Sequence, residues 1–266
     1  MADQDIEHTR AFLSDLEVAG TMSPPRDDEF LSDDDTMALP EVLGGDGAGA
    51  DAVVIGSQIA EFAKDMPAEV RPMVANSFLL AQLAANRSTA ESNGGTMEWY
   101  QRYTEVLKSV GWIVEGDVTM NEEVKADSGT VHSKILPLLA LTLGPGAAGA
   151  AVVIAKVLES LDEMDDGPWI TIFDRESKRA SAHQFQLSYA DAPDGVHPRI
   201  SLACFELDAE QRVTRVLFFR FANATATLRH SGMQLSADGT VFEQVQDLVE
   251  KKVAEYVSAN IAAIEI

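Results

Sequence analysis

Apolar residues recur at helical spacing through the first half of the chain and every second position through much of the second half. Phe12, Leu13 and Leu16 mark a first short helix in "IEHTRAFLSDLEVA". Asp51 is a fitting N-cap for "AVVIGSQIAEFAKDM", where Val54, Ile55, Ile59 and Phe62 fall on one helical face. Pro67 and Pro72 interrupt that helix, since proline lacks the backbone donor. "PMVANSFLLAQLAANR" predicts a second helix and "STAESNGG" a loop. Thr96 caps a third helix, "MEWYQRYTEVLKSVG", which Gly111 stops. "WIVEGDVTMNEEV" reads as a strand weakened by Gly116.

From Ile135 no charge appears until Lys156, a run about long enough to cross a bilayer. Gly144, Pro145 and Gly146 divide it. Glycine ends one helix and proline suits the first turn of the next. Pro137 is tolerable if Ser133 caps the first piece. The expectation is a helical hairpin over 130–162, folded back on itself and buried against a sheet. Its apolar positions include Leu138, Leu139, Leu141, Val152, Val153 and Ile154. A hairpin that leaves the core for lipid is the competing reading, and a permanent membrane-spanning helix ranks last.

After "DEMDDGP" the period becomes that of strands: "WITIFD", "AHQFQLSYA", "RISLACFEL" and "RVLFFRFANATATLRH". Several are apolar on both faces, so the sheet should be covered on both faces. A closing helix over 239–262 repeats Phe242, Val245, Val249, Val253, Tyr256 and Val257. The fold class is α+β: N-terminal helices and a helical hairpin on an antiparallel sheet of about four to six strands, closed by a C-terminal helix. Residues 1–50 read as an acidic, poorly structured or partner-docking segment. Residues 51–266 read as one domain, helical over 51–111 and antiparallel sheet over 168–236.

Charge changes this picture more than composition does. The apolar fraction of 46% and charged fraction of 24% are ordinary, but the formal net charge is -23. Residues 1–50 hold 13 Asp or Glu against two Arg, so nearly half of that charge lies in under a fifth of the chain. Such a surface repels nucleic acid and anionic lipid, and no basic patch offsets it. Apolar residues lie among the acids, as in acidic segments that dock on basic grooves. Phe30, Leu31, Asp33, Asp34 and Asp35 are the candidate partner contacts. The N-terminus lacks the basic and apolar regions of a standard signal peptide, which makes the cytoplasm the default and leaves signal-independent secretion open.

Catalytic and cofactor signatures are weak throughout. Gly45, Gly47 and Ala50 imitate a dinucleotide loop, but an acidic, proline-containing stretch precedes them where a strand is needed. Asp162, Asp166 and Gly167 match part of a calcium loop, while Met164 and Phe173 occupy two ligand positions. His8, His132, His183, His197 and His230 share no metal-binding spacing, although His183 and His230 could converge on neighbouring strands. Cys204 lies in an apolar run and reads as a core residue. Trp99, Tyr100 and Tyr103, with Trp112 and Trp169, read first as core and second as a recognition surface.

No cofactor, metal or catalytic residue is therefore assigned, and the chain leans away from being an enzyme. The leading expectation is a binding or assembly protein that sets its acidic surface and arm against a cationic protein, with self-association open. The alternative is a pore-forming toxin. Its apolar hairpin at 135–157 or its amphipathic strands would enter membranes, and the N-terminal segment would mask them.

Overall fold

The computed structural model describes residues 2–18, 52–115, 122–126, 130–143, 148–163, 168–178, 182–209, 213, 215–218, 226–237 and 239–264. In chain order these form α1 (Ala2–Asp15), β1 (Ala52–Ile55), β2 (Gln58–Phe62), α2 (Val70–Ser92) and α3 (Thr96–Ser109). Next come β3 (Trp112–Glu115), β4 (Glu122–Ala126), α4 (Val131–Leu143), α5 (Ala148–Glu163) and α6 (Pro168–Ser177). β5 (His183–Asp191), β6 (Arg199–Ala209), β7 (Ala226–Ala237), α7 (Gly239–Val253), α8 (Val257–Asn260) and β8 (Ile261–Ile264) complete the fold.

The class is α+β, as the sequence patterning implies. Among the described residues the sheet has eight strands, more than expected, and it is mixed. Its order is β3-β7-β6-β5-β2-β1-β8, and β4 also pairs with β7. Every pairing is antiparallel except β2 with β5.

Four local expectations are corrected. The stretch after Asp51 is a β-hairpin, not a helix. Gly56 takes a left-handed φ of 55°, and Ile55 pairs with Gln58 across a two-residue turn. "WITIFD" belongs to helix α6: Pro168 suits a first turn, and Trp169, Ile172 and Phe173 are buried at helical spacing. "RVLFFRF" is not a strand in its described part, since residues 216–218 form a turn and β7 starts only at Ala226. The closing helix ends at Val253; a 3-10 turn, Ala254–Tyr256, and the short α8 lead into strand β8. In addition, α2 runs on through Ser92 and absorbs most of the expected loop.

Two apolar cores flank the sheet. The first, under α1, α2, α3 and α7, contains Phe78, Trp99, Tyr100, Trp112 and Phe242. The second, under α4, α5 and α6, contains Ile135, Leu139, Ile154, Phe173, Phe185 and Phe205. Trp99, Tyr100 and Tyr103 are thus core residues, fully buried and mutually packed.

A buried polar network lies on the first face and bridges the parallel pair β2 and β5. Gln82 Oε1 accepts from the Ser57 N–H (2.9 Å) and hydroxyl (3.1 Å), while its Nε2 donates to the Ile55 carbonyl (2.8 Å). Gln186 accepts from Ser57 (3.0 Å) and donates to the Tyr100 hydroxyl (3.0 Å). Gln58 accepts from Tyr103 (3.1 Å) and donates to Ser188 (2.8 Å). A one-residue slip would turn these side chains into the other, apolar core.

Candidate functional site

The uncharged run forms two helices, as its glycine–proline corner predicts. α4 and α5 pack on each other and on the sheet. Gly144, Pro145 and Gly146 lie outside the described residues. α4 starts at Val131, where the Thr130 hydroxyl accepts from the Ser133 N–H at 3.3 Å. Thr130, not Ser133, therefore caps it, and Pro137 falls inside the helix on an exposed position.

Burial follows one stripe. Val131, Ile135, Leu139 and Leu143 are buried at intervals of four along α4. Ile154, Val157, Leu158 and Leu161 are buried along α5, while Leu138 and Val153 are half-buried. The other side faces water: Leu141 is 63% exposed and Val152 56%. The expectation that the sheet hides the hairpin holds for the inner stripe and fails for the outer one. Around Leu141 and Val152, Pro137, Ala140, Ala148 and Gly149 are also exposed and uncharged, and the exposed Lys156, one turn beyond Val152, bounds this side. Among the described residues, no helix is long and apolar enough to cross a membrane.

Beneath the hairpin lie the three longest strands, β5, β6 and β7, of 9, 11 and 12 residues. Their hairpin face carries Phe185, Leu187, Ala203, Phe205, Leu207 and Leu228 at one end. The opposite face at that end is mixed: Gln184, Gln186, Ser188 and an ion pair of Arg229 with Glu206 stand beside the apolar Leu202 and Cys204.

At its other end the hairpin face is polar, and a cavity of about 550 Å³ opens beside the first turn of α5. Tyr189, Asp191, Arg199, Ser201 and Gln234 line it. Arg199 reaches both Asp191 oxygens (3.1 and 2.9 Å), and Ser201 donates to Gln234 Oε1 (2.9 Å). Burial and neighbouring carboxylates push the Tyr189 phenol up, so it stays neutral.

Among the described residues no cluster of three or more His, Cys, Asp or Glu could hold a metal. His183 and His230 do not adjoin, because β6 separates their strands. His197 pairs with Asp194 on an exposed loop, and its N–H groups and ring hold that carboxyl well below the usual range. Cys204 is fully buried, which pushes its thiol up to about 12 and leaves it inert. The candidate partner contacts Phe30, Leu31, Asp33, Asp34 and Asp35 lie outside the described residues, as does the dinucleotide-loop lookalike.

No known family model matches the chain, and no curated protein does. Among solved structures it is similar to a delta-endotoxin, with a TM-score of 0.40 and 11% identity over 81% of this chain and 90% of that one. It is also similar to the Evf virulence factor, with a TM-score of 0.30 and 12% identity over 97% of this chain and 91% of that one. Likenesses this remote carry no functional argument.

Proposed function

We propose that the protein is membrane-active: the outer side of the α4–α5 hairpin meets a lipid surface, and the strands behind it supply the membrane-entering element. The observation that carries this reading is an exposed apolar side, centred on Leu141 and Val152, on two helices with no charge between Ile135 and Ala155. The strands add support. Each of β5, β6 and β7 has the roughly 9–11 residues that a tilted membrane strand requires. At their apolar end β5 and β7 alternate as such strands do, greasy towards one side and polar towards the other, while β6 keeps Cys204 beside Glu206 on the second side. In this reading the hairpin is the cover over the greasy side.

The test is dye release from phosphatidylcholine vesicles by the full chain at pH 7 and pH 5. Leakage is expected. Val152→Asp should weaken vesicle binding by about tenfold or more, since it places a charge where an apolar side chain would be buried. Its thermal midpoint should barely move, because Val152 is exposed. If no form binds or permeabilises vesicles, the reading is wrong.

A further inference from the structure

The last turn of α4 rests on strand β7 in a way that its apolar packing does not require. Gly232 of β7 lies so close that a Cβ there would stand 1.7 Å from the Thr142 carbonyl oxygen. Two residues to either side, on the same face, stand His230 and Gln234. The Thr142 hydroxyl meets His230 Nδ1 at 2.7 Å. Gln234 Nε2 donates to the Leu143 carbonyl at 3.1 Å, its amide oriented by Ser201. The final carbonyls of a helix have no partner within it. Here a strand from the far side of the sequence supplies one.

The structure assigns to His230, Gly232 and Gln234 the role of a clasp that holds the hairpin shut, and so of the regulation of the membrane-active site. This rests on the reading above. The physical reason is an asymmetry between contact types. Ile135, Leu139 and Ile154 bury themselves against Phe185, Phe205 and their neighbours, but acyl chains offer the same environment. Apolar packing therefore discriminates poorly between the docked hairpin and one in lipid. The Gln234–Leu143 and His230–Thr142 contacts exist only in the docked state. They, together with the bare backbone at Gly232 that lets the helix come close enough to make them, set the threshold for opening.

Gln234→Leu keeps the volume and removes the donor, Thr142→Val removes the hydroxyl, and Gly232→Ala pushes the helix end away. Leu107→Ala, in α3 on the opposite face, lowers stability without touching the clasp. All are made in the full chain and checked for folding by circular dichroism. Amide hydrogen exchange is read without lipid, and phosphatidylcholine vesicle binding is read by flotation. Gln234→Leu and Thr142→Val should speed exchange across α4 and α5 by about tenfold. Exchange in α2 and α3 should stay unchanged, and the lipid needed for half-binding should fall. Leu107→Ala should leave that lipid requirement where it is. Unchanged hairpin exchange, or acceleration spread evenly over the molecule as in Leu107→Ala, overturns the clasp. Faster hairpin exchange with no vesicle binding by any form, wild type included, upholds the clasp and removes the membrane reading instead.

Discussion

Asp174 is half-buried on α6, where its Oδ1 accepts the Val216 N–H at 2.8 Å. Desolvation raises its pKa from the ordinary 3.8 to about 6, against the pull of that N–H and of Arg215. The folded protein therefore holds this proton at pH values where the unfolded chain has released it. Stability from this group grows as pH falls from about 6 towards 3.8, and at neutral pH its buried charge is a burden. Asp174→Asn keeps the acceptor for Val216 and removes the charge. Urea midpoints measured from pH 4 to pH 7 should show the variant gaining on wild type as pH rises from 4 to about 6, with the difference level above that. Parallel curves for the two proteins would show that Asp174 does not titrate in this window.

At the scale of elements, the hairpin and α3 were legible in the sequence from a glycine–proline corner in one and Gly111 in the other, although Thr96 is the first helical residue of α3 and Gly95, with no side chain to cap it, takes the cap position. β1 and β2 were not. Both faces of this β-hairpin are buried, so Val53, Val54, Ile55 and Ile59 form an apolar run that fits a helix or a strand equally well. Only long-range pairing with β5 and β8 decides it. α6 misled for the opposite reason: its Ile and Phe content favours strands, and packing overrode propensity. The clasp was out of reach, because its partners lie 88 and 91 positions apart and a glutamine in a strand carries no sign of what it will meet. The polar network under α2 makes an element-scale prediction. Gln82→Leu removes the acceptor of the Ser57 N–H and the side-chain donor to the Ile55 carbonyl, leaves the Ser57 hydroxyl to Gln186, and should cost about 3 kcal/mol of unfolding free energy in denaturant titration. A loss under 1 kcal/mol, on the order of one exposed contact, would mean that water reaches the network.

For the whole molecule the decisive quantity is the net charge of -23. It separates lipid binding from capture of a cationic protein. Anionic vesicles should be avoided at low salt and approached more readily as salt shortens the screening length from about 10 Å at 0.1 M to about 3 Å at 1 M. A cationic partner would show the reverse, with affinity falling as salt rises. Flotation and pull-down across that salt range distinguish the two.

The pairing of β8 with β1 has a consequence for how the molecule is made. The outer edge of β1 stays bare until residues some two hundred positions further along have left the ribosome. Throughout that interval one edge of a wholly apolar strand stays open even after β1 has closed on β2, and the completed sheet can form only late in synthesis.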